Sequence, residues 1–222
     1  MATTTRRESD EARKKRGGRI VRKLHKLYPD VSTALQHRSP LELLVATILS
    51  AQCTDERVNR VTPALFARYP AAADYASADQ QDVEEIIRPT GFFRNKARSL
   101  VALGKGLVEK HGGEVPGRLE DLVQLPGIGR KTANVVLGAC FGVPGIAVDT
   151  HVKRLSGRLG LSAKTDPVKI EFDLMGLLPK KEWTFTSHAL IWHGRRVCSA
   201  RSPRCRECGL LSDCPWPDKR LD

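Results

Sequence analysis

No apolar run in this sequence approaches the roughly 20 residues needed to span a bilayer, which excludes a transmembrane helix. No stretch of useful length alternates apolar and polar residues, so a β-sheet is not expected. No segment recurs at a fixed period, which argues against a solenoid. Residues 3–19 are polar and basic, without the apolar core of a secretory leader. They read as a frayed tail or as a loose phosphate-binding arm. Acidic residues are also too few: 25 Asp and Glu stand against 37 Lys and Arg, leaving a net charge of +12. A polyanion is the simplest partner for such a chain, and nucleic acid is the commonest one. An acidic membrane surface would suit a single basic amphipathic helix, but here the basic residues are spread along the chain. With 222 residues, 41% of them hydrophobic, the chain can bury a core as one large domain or two small ones.

What is present reads as short helices from Arg19 to Val197. Ser39-Pro40-Leu41-Glu42 combines an N-cap, a proline at the first helical position and a capping-box glutamate. The run Leu43–Leu49 after it is apolar on all sides and predicts a buried helix. Asp55 is a candidate cap for the next helix, and Thr62-Pro63 for the start of another. Ser77 opens a helix to about Arg88. Residues 95–110 carry Leu100, Leu103 and Leu107 on one face and stop at Gly112-Gly113. Shorter helices are predicted over 118–124 and 130–141. Thr150 and Asp166-Pro167 open two more, and a last helix runs over 180–197. The fold class is all-α, with a domain boundary near Val143-Pro144-Gly145.

Two segments carry chemistry within that frame. In Leu125-Pro126-Gly127-Ile128-Gly129-Arg130-Lys131, Gly127 and Gly129 permit positive φ and clear side chains from a turn between two helices. Bare N–H groups at a helix start form an anion site, strengthened by the helix dipole. This is the helix–hairpin–helix pattern, which grips the DNA backbone without reading sequence; an ordinary tight connection would use the same residues. Lys131 sits in the first turn of the following helix. It is either a phosphate contact beside Arg130 or a candidate amine nucleophile for Schiff-base chemistry. Asp149, in Ile146-Ala147-Val148-Asp149-Thr150-His151, is either a helix cap or a carboxylate placed to stabilise positive charge on a reacting sugar.

The third signal is Cys198-x6-Cys205-x2-Cys208-x5-Cys214. Four thiolates this close in sequence can surround one metal centre. The residues between Cys198 and Cys205 have almost nothing apolar to bury, so ligation is their most direct source of order. Structural zinc sites usually supply two short Cys pairs; only one pair is short here, and a [4Fe–4S] cluster accommodates the uneven spacing better. Two disulfides are the remaining possibility, disfavoured in a reducing cytosol. Cys53 and Cys140 fall outside the pattern and read as small core residues in apolar helices.

Taken together, Leu125–Val136, Ala147–His151 and the cysteine spacing resemble the endonuclease III family of the helix–hairpin–helix superfamily, over about 28–214. That resemblance implies a bifunctional DNA glycosylase and abasic-site lyase acting on duplex DNA with oxidised pyrimidines or abasic sites. It implies a six-helix barrel over 32–143 that contains the hairpin. The N-terminal tail and helix, 1–31, would pack on an iron–sulfur domain over 144–222, with an active-site cleft between the two domains. Lys131 would be the nucleophile and Asp149 the catalytic carboxylate, facing each other across that cleft. Cys198, Cys205, Cys208 and Cys214 would hold the [4Fe–4S] cluster. DNA contacts would come from Gln52, which fills the gap left by a flipped base, from Asp55, Phe92, Gly127, Gly129, Arg130 and His151, and from Arg201, Arg204 and Arg206 around the cysteines. Phe92 departs from the leucine wedge expected there, but it can still wedge and stack. A monomer in the cytoplasm is expected, on the nucleoid if the source is bacterial.

An adenine glycosylase relative shares the barrel and the cluster but lacks the lysine. It places a glutamate near the position where this chain has Ala46 and Thr47, and it carries a further recognition domain not expected after Cys214. A non-catalytic DNA-binding module is the alternative of a different class. Borohydride trapping on abasic DNA separates an imine-forming enzyme from a binder.

Overall fold

The computed structural model describes residues 8–221; residues 3–7 of the basic tail lie outside them. Among the described residues every regular element is helical. No helix is long and apolar enough to cross a membrane among these residues. The chain forms two compact units, one joining the residues up to Ser32 with those from Pro144 onward, the other comprising Thr33–Val143.

In the unit Thr33–Val143, α2 (Pro40–Leu49) is the central helix. Ser39 accepts from the Glu42 amide, and Glu42 reaches back to the Arg38 amide at 2.6 Å. All seven residues Leu43–Leu49 are buried, as a helix apolar on every side requires. Helix α2 packs against α3 (Asp55–Arg68), α6 (Phe93–His111) and α8 (Arg130–Cys140); α4 (Ala72–Ser77) and α5 (Gln80–Ile87) pack on α6, and α7 (Leu119–Leu122) on α8. Helix α6 buries Leu100, Leu103 and Leu107, and Gly104 lets α4 approach so closely that a Cβ there would lie 2.6 Å from the Ala76 nitrogen.

Several expected boundaries move. Thr54, not Asp55, caps α3. Pro63 lies inside α3 rather than at a helix start. It forgoes one backbone bond, and burial of Val61, Thr62, Leu65 and Phe66 around it holds the helix together. Ser77 ends α4; Asp79 caps α5 by accepting from Gln81. Cys53 lies in the turn after α2 and Cys140 ends α8, each only half-buried, so neither is a core residue within a helix.

The other unit holds α1 (Asp10–Leu27), α9 (Thr150–Arg158), α10 (Pro167–Leu177) and α11 (Trp183–Arg196). Its core includes Ile20, Leu24, Val152, Leu155, Ile170, Leu174 and Leu190. Helix α1 starts at Asp10 rather than near Arg19, because Ser9 caps it and Asp10 and Glu11 favour its first turn. Arg16, though basic, is buried; it donates to the Leu159 and Gly160 carbonyls and pairs with Glu8. Arg19 and Lys23 both reach Asp213 at 2.7 Å, which ties α1 to the C-terminal segment. Burial alone would raise the Asp213 pKa, but hydrogen bonds from Lys23 and Arg19 hold it below the usual carboxylate range.

Candidate active site and cysteine centre

The hairpin turn is built by α7, the loop 123–129 and α8. Ile128 is buried and anchors the loop, its amide donating to the Leu125 carbonyl at 3.1 Å. Gly127 has φ 77°, and a Cβ there would sit 3.3 Å from the Ser99 Cβ, so this turn needs glycine. Gly129 does not take positive φ; it is the extended N-cap of α8 at φ −90°. Its value is the absence of a side chain: nothing lies within 4 Å of a Cβ at that position, and no side chain caps α8. The start of α8 is therefore open to an oxyanion. Lys131, the second residue of α8, is exposed.

The two loops expected to enter the DNA share a backbone feature. Gln52 (φ 52°) and Phe92 (φ 50°) are the non-glycine residues with positive φ among those described. Both side chains are exposed, Phe92 by 61%. Asp55 is the first residue of α3, half-buried.

In the other unit, Asp149 is the N-cap of α9. One oxygen, Oδ1, accepts from the His151 and Val152 amides, both at 2.8 Å. Oδ2 accepts no hydrogen bond among the described residues. The cap and the candidate catalytic carboxylate are thus one group with two faces, and Thr150 takes no part in capping. His151 is half-buried, with Nδ1 3.1 Å from Arg154 Nη2; burial pushes its pKa down.

The segment after α11 folds by turns. The amides of Cys208, Leu211 and Cys214 bond to the carbonyls of Cys205, Cys208 and Leu211. All six cysteines are unpaired, so the disulfide alternative is not realised. Cys198, Cys205, Cys208 and Cys214 line one cavity together with Leu155, Leu159, Val197 and Pro203. Among the described residues no three His, Cys, Asp or Glu side chains are grouped to hold a single metal ion. The four thiols share the lining of one cavity, a donor set whose chemistry suits a thiolate-bound metal centre. A tetrahedral zinc takes four thiolates at about 2.3 Å, and a cube-shaped cluster takes one thiolate at each corner iron. Burial pushes the Cys208 and Cys214 thiols up.

Sequence reading missed three residues at this centre. Arg158 places Nη1 3.2 Å from the Cys198 sulfur, donates to the Ser199 and Ala200 carbonyls, and stacks its guanidinium 4.0 Å over Trp216. Arg154 donates to the Cys198 carbonyl. His193, buried and with its pKa pushed down to about 4 by that burial, has Nε2 3.3 Å from the Cys208 sulfur and Nδ1 2.9 Å from the Tyr28 hydroxyl. A histidine five residues before the first cysteine of a metal pattern was a readable signal; the arginines of α9 gave none. Arg204 is tied to the Arg196 carbonyl and to Glu207, and Arg206 to the Leu221 carbonyl, whereas Arg201 makes no hydrogen bond among the described residues.

Similarity to known proteins agrees with this picture. The model of the HhH-GPD superfamily base excision DNA repair proteins matches residues 45–180. Endonuclease III of Synechocystis sp. is 56% identical over 92% of this chain and 94% of its own length. Endonuclease III of Bacillus subtilis is 49% identical over 89% of this chain and 91% of its own. A non-covalent endonuclease III–DNA complex superposes with a TM-score of 0.87 at 46% identity, covering 91% of this chain and 95% of that one. A trapped endonuclease III–DNA covalent intermediate superposes equally well, at the same identity and coverage. The chain belongs to the HhH-GPD superfamily of base excision DNA repair proteins and, within it, to the endonuclease III family.

Proposed function

We propose that the chain excises oxidised pyrimidines from duplex DNA and cleaves the resulting abasic strand by β-elimination through a Schiff base on Lys131. The observation that carries this reading is an exposed amine one residue into α8, directly after a glycine turn open to phosphate. The covalent DNA intermediate trapped with a similar protein supports it. Lys131 Nζ would attack C1′, the glycosidic bond would break with the base leaving, and the opened sugar would become an imine. Loss of a C2′ proton then expels the 3′ phosphate. Asp149 would stabilise the positive charge that develops on the sugar and assist proton transfer, using the oxygen its helix cap leaves open. Gln52 and Phe92 would fill and wedge the stack from which the damaged nucleotide is extruded, since C1′ is shielded inside a duplex. Asp55, Arg130 and His151 are assigned to the DNA-binding surface, Arg201 to a phosphate contact, and Arg204 and Arg206 to ordering the cysteine loops as much as to DNA. With this substrate the protein would work in the cytoplasm, on the nucleoid if the source is bacterial. The test is borohydride reduction with abasic DNA, which should give a covalent protein–DNA species; a protein that binds but is never trapped is a module without this chemistry.

Binding should fall steeply with salt, because released counterions dominate phosphate contacts. In Gly127→Val a β-branched residue is forced into positive φ against Ser99, deforming the turn. Titrations at several salt concentrations should show weaker binding to every sequence alike. Loss confined to some sequences would mean that the turn reads bases.

We propose further that Cys198, Cys205, Cys208 and Cys214 hold a [4Fe–4S] cluster whose role is to order residues 198–214. The purified protein should be yellow-brown, absorb broadly near ~400 nm and contain about four irons per chain. Replacing any one of the four with Ser should lower soluble yield, because ligation supplies the order that the loops lack. Colourless protein with one zinc would overturn the assignment.

A further inference from the structure

Among the described residues Lys96 is the buried lysine, 5% exposed in the first turns of α6. No carboxylate pairs with it there. Instead Nζ donates to two backbone carbonyls, Leu49 O and Thr90 O, each at 2.8 Å. Burial lowers its pKa, against the influence of nearby Cys53. A buried cation satisfied only by carbonyls is an expensive way to fill space. The position of those carbonyls gives it a purpose. Leu49 ends α2, three residues before Gln52; Thr90 ends a 3₁₀ turn, two residues before Phe92. The two positive-φ, exposed residues each lie just beyond a carbonyl held by the same ammonium. Such backbone strain persists only where the surroundings over-determine it. The buried Thr90 hydroxyl, donating to the Ile87 carbonyl at 2.8 Å, braces one side further.

Resting on the functional reading above, we propose that Lys96 is a positioning residue that locks the Gln52 and Phe92 loops into a single insertion unit. A cap on α2 alone would need only the Leu49 carbonyl. The second carbonyl, from a different segment, makes the ammonium a strut between loops. Gln52 and Phe92 then enter the stack together, and the fixed spacing between them, more than either side chain alone, determines how well the lesion is held outside it. A misplacement of about 1 Å remote from the chemistry can cost on the order of 100-fold in rate.

The test uses duplex DNA with 2-aminopurine opposite the lesion, whose fluorescence rises when the orphaned base is unstacked. Lys96→Met keeps a similar length but removes the charge and the donors. Excision kcat should fall about 10-fold or more and the fluorescence rise should shrink. KM, set by phosphate contacts, and cleavage at a preformed abasic site, where no base must be extruded, should change less than about 2-fold. Equal losses in excision and abasic cleavage with an unchanged fluorescence rise would reduce Lys96 to a structural residue. If Lys96→Met does not fold, the exposed pair decides. Gln52→Ala and Phe92→Ala should be non-additive in the parent protein, each removing much of what the double variant removes. Additive effects would overturn the strut. If the parent protein itself neither excises the lesion nor raises the fluorescence, the functional assignment fails, not the strut.

Discussion

Lys131→Ala should abolish both borohydride trapping and strand cleavage on abasic DNA. The side chain is exposed at the start of α8, so its removal leaves the core intact, and no second amine has been assigned to the sugar. Alanine is also the best helix former, so α8 should persist. In the proposed function the backbone around Gly127 and the bare start of α8 grip phosphate, so Lys131→Gln should still bind lesion DNA, losing at most the one contact a neutral side chain gives up. Loss of turnover with retained binding would separate a nucleophile from a phosphate ligand. The measurements are trapped product on a denaturing gel and affinity at matched salt. Parent-like excision of an oxidised pyrimidine by Lys131→Ala would return Lys131 to the role of a phosphate contact.

The features legible in the sequence were those written in local chemistry. Ser39-Pro40 and Asp166-Pro167 start helices because cap and proline act within one turn, and both helices begin there. Leu43–Leu49 is buried because a helix apolar on every side has no solvent face. The cysteines line one cavity, as their spacing suggested. Features set by distant partners stayed hidden. Pro63 looked like a helix start, yet tertiary burial carries α3 through it. Asp10–Arg19 looked like tail, because nothing local says that Arg16 will find the Leu159 and Gly160 carbonyls. Gly129 looked like a positive-φ residue but serves by having no side chain. Lys96 lies between these cases. It stands four residues before Leu100, on the face shared by Leu103 and Leu107, so the helical period already placed it inward. Its charge argued the opposite, and only the carbonyls of Leu49 and Thr90 resolve the conflict.

Asp149→Asn isolates charge from structure with unusual clarity. The carboxylate caps α9 through Oδ1 alone, and Asn is as good an N-cap as Asp. The variant should therefore fold, with only the modest loss of a negative charge at a helix N-terminus, roughly 0.3–1 kcal/mol. It should bind lesion DNA. Excision should nonetheless fall by roughly 10²-fold or more, the scale of one lost electrostatic or proton-transfer contribution. The loss should be larger for excision than for cleavage at a preformed abasic site, because breaking the glycosidic bond builds the positive charge that Asp149 is proposed to oppose, while an abasic site has no such bond left to break. Asp149→Ala gives the complementary result: it removes the cap as well, so its melting temperature should drop below that of Asp149→Asn while its excision defect stays similar. Single-turnover rates on both substrates, set beside thermal melts of the two variants, make the comparison. If Asp149→Asn excised like the parent and only Asp149→Ala were impaired, the carboxylate would be a helix cap and nothing more, and the stabilising charge would have to be sought elsewhere.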